Sequence, residues 1–177
     1  MSVLGVQRVP ARHRSEVLDL VVGRNLRWTL IRATAIIVVS VVVFGWVLLP
    51  VRTYGVSMEP TYRAGELVFV NALAYRWGKP ERGDIVAIEL AGPHVVFLKR
   101  IVGLPGEHIA FRAGLVLVNG QPLQEEYVRY RVPDWNVPDS RLGSAEYFVV
   151  GDNRSMPQQQ HEFGKVTEPR LIGKLLF

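Results

Sequence analysis

Residues 33–49 read ATAIIVVSVVVFGWVLL, seventeen positions without a charge, of which only Thr34 and Ser40 are polar. At about 1.5 Å rise per residue, this run is close to the shortest helix that crosses the hydrocarbon core of a bilayer. Leu30 and Ile31 extend it, while Arg32 can snorkel outward along its aliphatic stem. Trp28 and Trp46 fall near its two ends, where interfacial aromatics are favoured. A core helix of a soluble protein would carry a polar stripe, and this one carries none. A removable leader would be followed by a small-x-small cleavage site, and LLPVRTYG offers none. We therefore read residues 30–49 as one retained transmembrane helix.

The rest of the chain is ordered around this run. Residues 1–29 are polar and basic, with Arg8, Arg12, Arg14, Arg24 and Arg27 opposed only by Glu16 and Asp19. The positive-inside rule then predicts a cytoplasmic amino terminus and an extracytoplasmic domain over 50–177. A short apolar patch at 17–22, VLDLVV, predicts a juxtamembrane helix. Much of the net charge of +5 comes from this arginine flank, so the basic balance points to a membrane surface and not to nucleic acid. Cysteine is absent, which excludes thiol catalysis, thiolate metal sites and disulfides. The four histidines, His13, His94, His108 and His161, form no i, i+4 pair, so neither a metal nor a cofactor is expected.

Beyond Pro50 the pattern changes to short runs rich in Val, Ile and Phe, broken by Gly and Pro: ELVFVNAL, GDIVAIEL, HVVFLKRIVG, HIAFRAG, LVLVNGQPL and AEYFVVGD. Asn119-Gly120 is a hairpin signal. The expected fold is mainly β, an antiparallel sandwich or partly closed barrel behind the transmembrane helix. Residues 124–145, polar and proline-containing, read as a loop or small β excursion inserted between core strands.

Three stretches carry side chains able to do chemistry. Ser57 lies in GVSMEPTY, residues 55–62, and a serine nucleophile needs a base. His94, His108 and His161 remain open as that base. So does Lys99, in VVFLKRIVG, provided its amine is neutral. Strand alternation puts Phe97, Lys99 and Ile101 on one face, so apolar neighbours surround the lysine and disfavour its ammonium form. Arg100 stays protonated and cannot serve. The third stretch is YFVVGDNR, residues 147–154, a strand ending in a turn.

Together, in this order and behind one anchor, GVSMEPTY, RGDIVAIEL, KRIVGLPGE, VVGDNR and FGKV resemble the type I signal peptidases, membrane-anchored Ser/Lys endopeptidases of the bacterial cytoplasmic membrane. The resemblance covers most of residues 52–177. It implies that Ser57 attacks the scissile carbonyl, that Lys99 takes its proton, and that the Ser57 backbone N–H serves as an oxyanion donor. It also puts Met58, Phe97 and Leu98 at shallow pockets for small side chains of an Ala-x-Ala cleavage sequence. Gly151, Asp152, Asn153 and Arg154 would support the site, with an Arg100–Asp152 ion pair as a brace. The implied partners are signal-peptide-bearing preproteins and the lipid bilayer.

Two departures stand out. Many members carry Ser or Thr two residues before the nucleophile, where this chain has Gly55. After GDNR the common pattern has Ser, Asp, Ser and Arg at the positions of Pro157, Gln159, Gln160 and His161. Pro157 has no hydroxyl to orient a lysine; Ser155, two residues earlier, is offered as its substitute. Asp139-Ser140-Arg141 precedes GDNR and cannot be the displaced segment. The alternatives are a specialised Ser/Lys maturation peptidase with one client, or an anchored peptide-binding β module that has lost catalysis.

Overall fold

A computed structural model describes residues 25–89 and 96–176; the juxtamembrane patch, His13, His94 and the arginines before residue 25 lie outside the described residues. The chain divides into two compact units, Met1–Val43 and Phe44–Phe177.

The apolar run forms a helix, Leu26–Val42, that continues as a π-helical turn over Val43–Val47. Leu26–Val47 spans 22 residues with a mean hydropathy of 2.3 and is long and apolar enough to cross a membrane. The sequence reading carried this helix to Leu49, but Leu48 and Leu49 instead open a strand, β1 (Leu48–Arg52). Pro50 accounts for the difference. A residue before proline avoids the helical region, and β1 is an edge strand, where a missing N–H is tolerated. Leu49 then packs on the core.

The second unit is mainly β and antiparallel throughout the pairings of its described strands. Its strands are β1, β2 (Leu67–Asn71), β3 (Ile85–Glu89), β4 (Val96–Gly103), β5 (His108–Arg112), β6 (Leu115–Val118), β7 (Gln121–Pro122), β8 (Val137–Arg141), β9 (Glu146–Val150), β10 (Gly164–Thr167) and β11 (Leu171–Leu175). A seven-stranded sheet has the order β1-β2-β11-β3-β4-β9-β10, and a four-stranded sheet the order β7-β6-β5-β8. Asn119 and Gly120 both have positive φ, 51° and 79°, and join β6 to β7 as the two-residue hairpin that their sequence signals.

Side chains on the two sheets meet in one core. Val102, Phe148 and Val150 from the large sheet pack with Ile109, Phe111 and Val116 from the small one, and Trp135 and Leu142 complete the cluster. Trp135 is 1% exposed and comes from the 124–145 excursion. This segment also supplies β8, which pairs with β5, so it is built into the core and not draped over it. Two further clusters lie along the large sheet, one around Val68, Val70 and Leu98, the other around Val86, Ile88 and Ile101.

Candidate active site

Ser57 stands in a series of turns between β1 and β2. The loop is tied at its base by Thr53, whose N–H donates to the Glu66 carbonyl at 2.9 Å and whose hydroxyl donates to the Arg63 carbonyl at 2.6 Å. Met58, 5% exposed, pins the far side by packing in the cluster that holds Leu98. Gly55 is exposed, with φ of 77°, a left-handed conformation that glycine adopts without strain.

β4 delivers Lys99 to this loop. The amine lies 2.9 Å from the Ser57 Oγ, and the residue is only 2% exposed. Its cross-strand neighbour is the fully buried Val86. The β4–β9 register matches Arg100 with Val150, so one further step sets Gly151 level with Lys99. Burial in these surroundings penalises the ammonium and lowers the Lys99 pKa from 10.5 to about 8, while the Glu162 carboxylate acts in the opposite direction.

The 151–154 segment closes over the back of Ser57. A Cβ on Gly151 would lie 2.2 Å from the Ser57 carbonyl oxygen and 2.8 Å from His161 Nε2, so only glycine fits. Asn153 donates its backbone N–H to the Ser57 carbonyl at 3.0 Å and its Nδ2–H to the Val56 carbonyl at 2.9 Å. Asp152, 1% exposed, takes Arg100 in a bidentate pair, Nε–Oδ1 at 2.9 Å and Nη2–Oδ2 at 2.6 Å. Thr61, from the nucleophile loop, donates to the same carboxylate at 2.5 Å. The Arg100 guanidinium also lies 3.9 Å from the ring centroid of Tyr127. Arg154 is buried, with both Nη atoms on the Glu125 carboxylate and Nε–H on the Gly151 carbonyl at 2.9 Å. Glu125 thus fastens the excursion to the segment behind the serine, and Tyr127 fastens it to β4. No local sequence signal marks either one, because each finds its partner across the fold.

The residues after Arg154 behave differently from the sequence expectation. Ser155 gives its hydroxyl to Asn153 Oδ1 at 2.5 Å, so it does not orient Lys99. His161 fills the space behind Gly151, edge-on to Trp135 at 4.9 Å between centroids. Its Nδ1 approaches the Glu162 carbonyl at 3.3 Å, and its buried Nε2 makes no hydrogen bond. Burial, and next the charge of Lys99, push its pKa down to about 4. A neutral, largely apolar filler therefore stands where the family pattern has an arginine. His108 is remote from this chemistry, exposed and 2.8 Å from Asp139.

Beside Ser57 opens a cleft of about 260 Å³ lined by Met58, Tyr62, Val96, Phe97 and Leu98, with Arg52, Thr53, Tyr54 and Gly55. Met58, Phe97 and Leu98, the residues expected at the substrate pockets, line this one cleft. The arrangement presents a hydroxyl, a weakly basic amine and an apolar groove at one place. That is the equipment for acyl transfer.

Comparison with known proteins identifies the family. Residues 25–177 match the family model described as signal peptidase, peptidase S26. Signal peptidase IB of Staphylococcus aureus (strain Mu50) is 28% identical over 169 residues, covering 86% of this chain and 87% of that protein. A probable signal peptidase I-1 of Synechocystis is 34% identical over 129 residues, covering 68% of this chain and 65% of its own. A crystal structure of a signal peptidase I from Enterococcus faecalis V583 covers 55% of this chain and 97% of that one, with 29% identity and a TM-score of 0.43. The family match runs from the apolar helix to the last strand and takes in Ser57, Lys99 and the 151–154 segment alike, so the chain belongs to the signal peptidase family, peptidase S26.

Proposed function

We propose that the protein is a signal peptidase I that cleaves signal peptides from exported preproteins with Ser57 as nucleophile and Lys99 as general base. The observation that carries this reading is the 2.9 Å contact between the Ser57 hydroxyl and the amine of Lys99, a residue only 2% exposed. The neutral amine accepts the hydroxyl proton as Oγ attacks the scissile carbonyl. The resulting ammonium returns that proton to the departing amine, which leaves an ester on Ser57. Lys99, neutral again, then draws a proton from a water that attacks the ester, and passes it to Ser57 Oγ as the ester bond breaks and the signal peptide leaves. The Ser57 N–H stabilises the oxyanion in both steps. The shallow apolar cleft formed by Met58, Phe97 and Leu98 takes the small side chains of an Ala-x-Ala sequence.

The helix Leu26–Val47 anchors the enzyme in the bacterial cytoplasmic membrane. The arginine-rich flank keeps the amino terminus in the cytoplasm and the β domain outside. Substrates carry apolar segments of their own, so enzyme and substrate share one bilayer and the encounter is confined to it.

Purified protein reconstituted with a preprotein bearing an Ala-x-Ala site tests this reading. Wild type releases the mature product, whereas Ser57→Ala, Lys99→Ala and Lys99→Arg do not. The arginine variant keeps the charge but supplies no base. Turnover by Lys99→Arg would remove Lys99 from the role.

A further inference from the structure

Asn153 hydrogen-bonds neither the Ser57 hydroxyl nor Lys99. Its two contacts with the nucleophile loop fall instead on the two peptide units that flank Ser57. The side-chain Nδ2–H holds the Val56 carbonyl at 2.9 Å, and the backbone N–H holds the Ser57 carbonyl at 3.0 Å. The Val56 carbonyl accepts a further bond from the Glu59 N–H at 3.1 Å. A trans peptide is planar, and its C=O and N–H point in opposite directions. Fixing the Val56 carbonyl therefore fixes the direction of the Ser57 N–H. That N–H donates to nothing among the described residues.

The asparagine amide is itself held. Ser155 donates to Oδ1 from its hydroxyl at 2.5 Å and from its N–H at 3.3 Å, which leaves Nδ2 facing the Val56 carbonyl. We propose that Asn153 is a positioning residue of the oxyanion hole, its side-chain amide clamping the Val56–Ser57 peptide so that the Ser57 N–H faces the oxygen of the scissile carbonyl. The proposal rests on the Ser57/Lys99 reading above and extends it. It also gives Ser155 a task other than orienting the lysine.

Two variants and two kinds of ligand test the clamp. Asn153→Ala removes the donor. Asn153→Asp keeps the size and the acceptor for Ser155 but sets a carboxylate oxygen against the Val56 carbonyl. With a short peptide substrate, kcat falls about 10- to 100-fold in either variant, below or near the loss from deleting an oxyanion donor outright. KM stays within about twofold, since the substrate cleft is untouched. The ascending limb of the pH profile keeps its midpoint, because Asn153 makes no bond to Lys99. Affinity for a substrate-like peptide aldehyde, which forms a tetrahedral adduct on the serine, falls in step with kcat; affinity for the matching uncleavable peptide does not. Unchanged kcat in both variants overturns the clamp, as does equal weakening of aldehyde and uncleavable peptide, which would mark a disordered cleft. Wild-type cleavage lost in Ser57→Ala beside full activity in Asn153→Ala would refute the clamp alone. Cleavage that survives in Ser57→Ala would refute the reading beneath it.

Discussion

A lysine amine can take a proton from serine only while it is uncharged, and burial brings the Lys99 pKa down to about 8. With the neutral amine as the proposed base, kcat/KM should rise with pH along an ascending limb with its midpoint near 8. Glu162 opposes the effect of burial, so Glu162→Gln moves that midpoint downward. A pH titration of kcat/KM for both proteins checks this, and an unmoved or rising midpoint contradicts it. His161 makes a separate prediction about stability. Its folded pKa of about 4 lies below the ordinary 6.5, so between those values the unfolded chain binds a proton that the native protein refuses. Stability is therefore lost as pH falls from about 6.5 to about 4, and His161→Phe, which keeps an aromatic ring beside Trp135, flattens that loss in urea melts. The meeting of Ser57 with Lys99 was legible in the sequence through the ordered motifs of the resemblance, and the structure brings the two side chains together. The role of Asn153 was not, since it depends on the direction of a peptide plane.

At the scale of elements, the nucleophile loop, β4 and the 151–154 segment are joined by contacts that leave no slack. In Gly151→Ala the new methyl would stand 2.2 Å from the Ser57 carbonyl, so the segment must retreat from the loop. We expect activity to fall by about 100-fold or more from the displaced nucleophile, while the protein loses about 1–3 kcal/mol of stability from overpacking. The pair Glu125–Arg154, with both side chains almost wholly buried, behaves in the reverse sense. Glu125→Leu leaves a buried guanidinium unpaired and destabilises by roughly 3–5 kcal/mol, measured by denaturant unfolding. The strands that sequence revealed are those with sustained Val, Ile and Phe content, β2 to β6 and β9, and the short β7 through the Asn119-Gly120 hairpin signal. β1 was hidden because its Leu48 and Leu49 prolong the apolar run. β8, VPDSR, is polar and proline-bearing and becomes a strand only through its pairing with β5. β10 and β11 carry glycine, which opens the one and interrupts the other.

At the scale of the molecule, the proposed function gives the two units separable duties. A fragment beginning at Phe44 retains all eleven strands and should fold with the spectrum of the β domain. It should cleave a short soluble peptide at the rate of the full chain. Against a preprotein in vesicles it should be slower by about 10- to 100-fold, since it no longer shares the membrane with its substrate. Equal rates on both substrates would deny the helix any part in the encounter.

The place of β11 in the large sheet governs how this enzyme is made. β11 lies between β2 and β3, yet it is encoded about a hundred residues after β2. At ribosomal speeds of about 5–20 residues per second, the nascent domain spends roughly 5–20 s with two sheet edges waiting for their common neighbour. Throughout that interval those edges are open to pairing with other chains. The interval ends only when β11 slots between β2 and β3, so the last of the described strands to be made is the one that closes the sheet.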